Sequence, residues 1–126
     1  MKEVIDNSTV LIIDDDQRNI FALKAVLKSR SLNPLCASSA AEGLALINSE
    51  PAIKMVLIDM MMPDMDGYEA IREIRRSGRN LLPVVAVTAQ AMVGDRDKCL
   101  AAGADAYLSK PIDVDQLMEV ITRMIK

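Results

Sequence analysis

Short, continuously apolar runs alternate along the chain with longer segments whose apolar residues recur every three or four positions. The short runs are rich in valine, isoleucine and leucine, which is typical of strands buried on both faces of a sheet. The longer segments have the spacing of helices that bury one face. The runs that predict strands are Val10–Ile13, Pro34–Ala37, Met55–Ile58, Val84–Val87 and Ala106–Leu108.

Residues typical of helix ends support five helices, one after each of these runs. Ser39 and Asp66 each stand three residues before a glutamate, which is the spacing of a capping box at a helix start. Asp113 is a helix cap before the last apolar face. Gly103 ends a helix predicted over Met92–Ala102.

Five strands that alternate with five helices predict an α/β fold in which a parallel sheet is covered on both faces. A doubly wound sheet with the order 2-1-3-4-5 is one common arrangement, although periodicity alone does not select it. The sequence contains no repeat, low-complexity segment or internal linker. We therefore expect a single domain over residues 1–126, with residues 1–8 as a loose lead-in.

Composition excludes several classes of function. The net charge of −3 argues against nonspecific attraction to nucleic acid or anionic membranes. Phe21, Tyr68 and Tyr107 are the only aromatic residues, too few for base stacking, and there is no histidine for acid–base chemistry or zinc binding. Cys36 and Cys99 lack a metal or redox spacing, so we expect two small buried hydrophobes in a reducing cytoplasm.

Polar residues with related chemistry stand at the ends of four predicted strands. The first strand ends in Asp14 and Asp15, the third in Asp59, the fourth in Thr88, and Lys110 follows the fifth. The carboxyl ends of parallel strands share one edge of the sheet, so these side chains should lie together. Clustered carboxylates repel one another unless a cation neutralises them. In a chain without histidine, such a set suits a hard ion such as Mg²⁺.

Together these residues meet the needs of metal-assisted phosphoryl transfer. Asp59 would be the nucleophile and form an aspartyl phosphate, while the Lys110 ammonium and the Thr88 hydroxyl would contact phosphate oxygens. Taken singly, each residue also has a structural interpretation, because aspartates cap helices or begin turns and a strand-end threonine is usually structural. The coincidence at four strand ends favours the functional interpretation.

Four motifs make the chain similar to the receiver domains of two-component response regulators over nearly its whole length. This resemblance implies a doubly wound (βα)₅, flavodoxin-like, three-layer fold with strand order 2-1-3-4-5. It also implies a phosphoacceptor domain, not an enzyme, that assists its own phosphorylation and dephosphorylation. The motifs, in the family's order, are Leu11–Asp16 (LIIDDD), Ile58–Gly67 (IDMMMPDMDG), Val85–Ala89 (VAVTA) and Gly103–Pro111 (GADAYLSKP).

The resemblance implies roles in metal and phosphoryl binding. Asp59 would accept a phosphoryl group from a phosphohistidine on a partner protein. Asp15 and Asp59 would bind Mg²⁺ directly and Asp14 through water, with Mn²⁺ as an alternative ion. The backbone carbonyl of Met61 would complete the protein ligands.

The resemblance also implies a switch. Thr88 and Lys110 would contact the phosphoryl oxygens, and the small Ala89 would leave room for them. A phosphoryl group adds a charge of about −1.5 to −2, so Thr88 would move toward it and Tyr107 would turn inward. The surface of the fourth helix, fifth strand and fifth helix would thereby change. The alternative is that Tyr107 is only half-buried packing. The Lys110–Pro111 peptide is often cis in this family.

Residues 18–23 and 89–92 look like receivers attached to hybrid histidine kinases. The implied partner is a histidine kinase or a histidine phosphotransfer domain. It would dock near the first helix and the loops around Asp59, where Ile20 and Phe21 would supply apolar contacts unless they pack in the core. The resemblance does not indicate a particular output, and it implies no direct contact of this domain with nucleic acid or membrane. It implies a cytoplasmic location, either as a free protein or as the cytosolic part of a membrane-bound kinase.

Two other classes remain open. A phosphotransferase resembling the haloacid dehalogenase superfamily also uses a strand-end aspartate with Mg²⁺, but that pattern requires an Asp-x-Asp motif on the first strand and an acidic pair after the fourth. Here the fourth strand ends in Thr88 and Ala89. An interaction module that is never phosphorylated is the other class. Loss of the acceptor or the lysine would favour it, and this chain has both.

Overall fold

The structure is a computed structural model that describes residues 7–79, 81–89 and 94–125. These residues form strands and helices in strict alternation. The strands are β1 (Thr9–Ile13), β2 (Asn33–Ala37), β3 (Ile53–Asp59), β4 (Val84–Thr88) and β5 (Ala106–Ser109). The helices are α1 (Gln17–Ser29), α2 (Ala40–Ser49), α3 (Gly67–Arg76), α4 (Asp95–Ala102) and α5 (Val114–Met124).

The strands form one parallel sheet in the order β2-β1-β3-β4-β5. This confirms the doubly wound order that the resemblance implied. Near the carboxyl edge, Ile13 is paired with Ile58 and Asp59 with Val87. The residues that follow β1, β3 and β4 therefore emerge side by side at this edge.

Apolar clusters cover the two faces of the sheet and give the fold three layers. One cluster joins the sheet to α2, α3 and α4, and the other joins it to α1 and α5. β3 lies in the middle, and its residues alternate between the clusters: Val56 and Ile58 face the first, while Met55 and Leu57 face the second. Every residue from Met55 to Asp59 is buried, so β3 is a rigid support for its terminal carboxylate.

Two predicted elements have different boundaries in the structure. β3 begins earlier, at Ile53, because the exposed Lys54 interrupts the apolar run without interrupting the strand. α4 begins at Asp95, after Gly94, whose φ of 87° is left-handed and therefore outside helical geometry. The predicted start at Met92 lies outside the described residues. The other strands match the prediction to within one residue at each end.

The predicted lead-in is described only at residues 7 and 8. The N–H of Asn7 donates to the carbonyl of Ser31 at 2.7 Å, and the carbonyl of Ser8 accepts from Asn33 at 2.9 Å. These two residues are therefore tied to the connection between α1 and β2. Residues 1–6 lie outside the described residues.

The predicted capping box of α3 is only half formed. The Asp66 carboxylate accepts from the N–H of Tyr68 at 2.8 Å, as a cap should. Glu69 pairs with Arg72 at 3.4 Å and with Arg76 at 3.0 Å. Arginines one and two turns further along the helix therefore take the place of the local backbone bond.

The cysteines differ in burial. Cys99 is fully buried, as predicted, and burial raises the pKa of its thiol to about 11. Cys36 is only half-buried, because β2 is at the edge of the sheet. The prediction that both are buried was therefore wrong for Cys36. None of the described helices is long and apolar enough to cross a bilayer.

Candidate functional site

Three carboxylates meet at the carboxyl edge of the sheet. Asp14 and Asp15 follow β1, and Asp59 is the last residue of β3. Each offers a carboxylate oxygen, and these oxygens all lie within 4.8 Å of one another. Asp14 and Asp59 are only 2% and 5% exposed, whereas Asp15 is exposed. The sheet therefore brings two buried carboxylates and one exposed carboxylate to one point.

Asp59 is held from both sides. One carboxylate oxygen accepts from the N–H of Met61 at 3.0 Å, and the other lies 3.4 Å from the Lys110 ammonium. Burial raises the pKa of Asp59, and the Asp14 charge adds to this effect. The Met61 N–H and the Lys110 ammonium oppose the shift without cancelling it. The ionised form of Asp59 is therefore energetically costly in the folded protein.

Among the described residues, the Asp14 carboxylate has three polar partners. One oxygen accepts from the N–H of Asp16 at 2.9 Å. The other accepts from the side-chain amide of Asn19 and lies 3.5 Å from the Lys110 ammonium. Asn19, in the first turn of α1, was not identified from the sequence, where a polar residue on an amphipathic helix gives no sign of its partner. These contacts fix the orientation of the Asp14 carboxylate.

Lys110 joins the two buried carboxylates. Its backbone N–H donates to the carbonyl of Thr88 at 2.8 Å, which places it beside the end of β4. The side chain then reaches Asp14 and Asp59 and is 22% exposed. Burial tends to lower the pKa of Lys110, but the two carboxylates outweigh it and raise the pKa. The Lys110–Pro111 peptide is cis, as the resemblance implied.

Thr88 and Met61 flank Asp59. Thr88 is 2% exposed at the end of β4, and its neighbour Val87 is paired with Asp59. Met61 is 57% exposed, and its backbone forms an isolated bridge with Asp66. The sheet register therefore places Thr88 next to the end of β3, beside Asp59.

Tyr107 lies on β5 and is half-buried. Its hydroxyl donates to the Asp95 carboxylate at 3.1 Å. The same carboxylate accepts from the hydroxyl of Tyr68 on α3. Burial, followed by Asp95, raises the pKa of Tyr107. Asp95 thus links α3, α4 and β5, a role that sequence reasoning missed because the three residues are far apart in the chain.

An apolar groove adjoins the site on the α1 side. It has a volume of about 510 Å³ and reaches from Lys110 to Val114 and Val26. Phe21 on α1 is 76% exposed, whereas Ile20 is 6% exposed and belongs to the core. Of the two apolar residues expected from the sequence at a docking surface, only Phe21 is therefore available.

The family model for the response regulator receiver domain matches residues 10–122. The chain belongs to this family. It is also similar to hybrid kinases: it is 37% identical over 116 residues to the sensor histidine kinase RcsC of Salmonella typhi. That match covers 92% of this chain but 12% of the kinase, and the match to probable histidine kinase 6 of rice covers 15% of that protein. The chain thus spans only a small part of these relatives.

Solved structures show the same fold. The receiver domain of sensor histidine kinase PA1611 from Pseudomonas aeruginosa PAO1 is 31% identical, with a TM-score of 0.85 and coverage of 94% of this chain and 98% of that one. That structure has a magnesium ion coordinated in its active-site cleft. The receiver domain of Ssk1 from Saccharomyces cerevisiae, in complex with the phosphotransfer protein Ypd1, has a TM-score of 0.87, covers 96% of this chain and 90% of that one, and is 23% identical. At that identity the likeness concerns the fold alone.

Proposed function

We propose that this receiver domain accepts a phosphoryl group on Asp59 from a phosphohistidine of a partner protein, in a reaction that depends on Mg²⁺. The observation that carries the proposal is the cluster of Asp14, Asp15 and Asp59 within 4.8 Å, with Lys110 in contact with the two buried members. Three carboxylates and one ammonium leave an excess of negative charge. Such a site favours a divalent cation.

The donor set fits Mg²⁺ better than a transition metal. It consists of carboxylate oxygens with no imidazole or thiolate, and hard oxygen ligands suit Mg²⁺. We assign Asp15 and Asp59 as direct ligands, Asp14 as a ligand through water, and the Met61 carbonyl as the backbone ligand. Bound there, Mg²⁺ would neutralise the charge that gathers on the phosphoryl oxygens. Mn²⁺ has no separate support from the geometry.

The transfer step exchanges one bond for another. A carboxylate oxygen of Asp59 attacks the phosphorus, the P–O bond forms, and the P–N bond to the donor imidazole breaks. The other ring nitrogen of the phosphohistidine carries a proton, so the imidazole keeps that proton, takes the electron pair of the P–N bond and leaves neutral. Lys110 already lies 3.4 Å from Asp59, so its ammonium is positioned to meet a phosphoryl oxygen. Thr88, buried at the adjacent strand end, would donate its hydroxyl to another.

Phosphorylation would then act on Tyr107. The added charge would draw the Thr88 hydroxyl toward the phosphoryl group and free space beside β5. Tyr107 would exchange its bond with Asp95, now 3.1 Å long, for a more buried position. Since α4 and α5 both contact β5, the surface that the three elements form would change. This is the output of the domain in our proposal.

The partner would be a histidine kinase or a histidine phosphotransfer domain. The apolar groove beside Lys110 and the exposed ring of Phe21 supply the apolar surface that such a partner needs close to the acceptor. The complex of the Ssk1 receiver with Ypd1 shows that one protein of this fold binds such a partner. We propose a cytoplasmic location, where such partners expose their histidines.

Phosphorylation by acetyl phosphate tests the proposal without a partner. Intact-mass spectrometry should show one phosphoryl group per chain with Mg²⁺, none with EDTA, and none in the variant Asp59→Asn. A chain that is never phosphorylated at any Mg²⁺ concentration would indicate a pure interaction module. Turnover of a small phosphomonoester would indicate a phosphotransferase resembling the haloacid dehalogenases.

A further inference from the structure

We propose that Asp64 is a positioning residue for the metal site: it ties the loop that follows Asp59 to the start of α2 and so fixes the backbone at Met61. The inference rests on the proposed function, because it concerns the same Mg²⁺ site. Asp64 lies in an exposed loop, five positions after the acceptor. The observation behind it is a pair of long-range hydrogen bonds.

The Asp64 carboxylate spans two backbone donors of α2. One oxygen accepts from the N–H of Ala40 at 3.2 Å and the other from the N–H of Ala41 at 3.1 Å. These are the first two residues of the helix, whose N–H groups have no partner within the helix. A carboxylate is also favoured there by the helix dipole. The contact joins segments more than 20 positions apart in the chain.

The start of α2 has its own caps. Ser39 accepts from the N–H of Glu42 at 3.1 Å, and the Glu42 carboxylate accepts from the N–H of Ser38 at 2.8 Å. These local contacts complete a cap without help from elsewhere. Asp64 differs from them because it attaches a second loop to the helix.

That loop carries the backbone proposed to bind the metal. It begins at Met60, whose N–H donates to the carbonyl of Val87 at 2.9 Å and whose side chain is 8% exposed. It ends at Asp66, which pairs with Met61 and caps α3. Both ends are therefore held, and Asp64 holds the turn between them. Fixing the turn limits the rotation of the peptide planes at Met61.

α2 also packs closely on the end of β1. A methyl group at Gly43 would lie 2.4 Å from the Ile13 side chain, so the helix packs closely on the residue that precedes Asp14. The hydrogen bonds of Asp64 attach the loop after β3 to this same helix. α2 is thus a common support for the two sides of the carboxylate cluster.

Magnesium affinity separates positioning from simple helix capping. The variant Asp64→Ala should bind Mg²⁺ about tenfold more weakly by calorimetric titration, the lower end of the effect of residues that orient metal ligands. Glu42→Ala is the matched control, since it removes a cap from the same helix end without touching the loop. Both variants should lose a few degrees of Tm, about 2–6 °C, but Glu42→Ala should keep the wild-type Kd.

A second variant and the wild-type chain keep the outcomes distinct. Asp64→Asn keeps one acceptor oxygen and should have an intermediate Kd. If Asp64→Ala and Asp64→Asn both bind Mg²⁺ as tightly as Glu42→Ala, the positioning role is wrong while the proposed function stands. If the wild-type chain itself binds no Mg²⁺, the proposed function fails and this inference falls with it.

Discussion

Replacing Lys110 by methionine removes a charge and keeps most of the side-chain length. We expect three consequences. The metal-free fold should weaken, because two buried carboxylates lose their shared cation. Binding of Mg²⁺ should become tighter, because a competing charge has gone. Phosphorylation should be impaired, because the contact with a phosphoryl oxygen is lost.

The magnitudes follow from the geometry. The Lys110 ammonium lies 3.5 Å from Asp14 and 3.4 Å from Asp59, and each contact is worth about 5 kcal/mol at an effective dielectric constant of about 20. Desolvation of the buried ions offsets most of this, and water screens the partly exposed lysine. A net loss of about 1–2 kcal/mol remains, or about 4–8 °C in Tm. The gain in Mg²⁺ affinity should be about fivefold or more, since even two unit charges about 4 Å apart interact by about 1 kcal/mol in water and Mg²⁺ carries two charges.

Thermal melting and calorimetric titration measure these effects separately. Tm should be lower than wild type in EDTA, and the deficit should shrink in saturating Mg²⁺, because the ion then neutralises the carboxylates. Lys54→Met is the matched control, since Lys54 is exposed near the start of β3, at the opposite end from Asp59. A deficit that is equal with and without Mg²⁺, or a weaker Mg²⁺ affinity in Lys110→Met, would refute the electrostatic reasoning.

Three further predictions concern other parts of the domain. Because the pKa of Asp59 is raised in the folded protein, ionisation of this residue opposes folding. The metal-free stability should therefore fall as pH rises from the ordinary carboxyl range through the raised pKa. Thermal melts in EDTA from about pH 4 to pH 7 should show this fall, and the variant Asp59→Asn should have a flatter pH dependence. Asp95→Ala removes the acceptor of the Tyr107 hydroxyl and should shift the Tyr107 ring signals in NMR spectra of the unphosphorylated domain, whereas unchanged signals would mean that Asp95 does not restrain the ring. Phe21→Ala should slow phosphoryl transfer from a phosphorylated partner by about tenfold or more, the loss expected for an aromatic contact at an interface. The same variant should be phosphorylated by acetyl phosphate as fast as wild type. Equal effects on both reactions would argue against a docking role for Phe21.

Local patterns were enough to predict the order of the elements. Runs such as Val10–Ile13 are apolar because both faces of the strand are covered, and the structure confirms the parallel sheet. The carboxylates at its edge were predictable for the same reason, since the end of a buried strand is visible as an abrupt change from apolar to acidic residues. Strand order was not visible in the periodicity and came from the resemblance, which the family match confirms.

Contacts between distant segments could not be predicted. Asp64 and Asp95 look like ordinary surface aspartates in the sequence, yet one binds the start of α2 and the other binds two tyrosine hydroxyls. Their partners are set by how the helices and loops pack, which no local pattern records. Single residues also explain why two elements begin elsewhere than predicted. β3 continues through the exposed Lys54, and α4 begins only after the left-handed Gly94.

Direct identification of the phosphorylated residue tests the central claim. Borohydride reduces an acyl phosphate to an alcohol, so a phosphorylated aspartate becomes homoserine, which mass spectrometry can locate within the tryptic peptide of residues 55–72. After treatment with acetyl phosphate and Mg²⁺, we predict homoserine at position 59 and unmodified Asp64 and Asp66 in the same peptide. Homoserine at another position, or none in a chain that has taken up a phosphoryl group, would contradict the assignment of Asp59 as the acceptor.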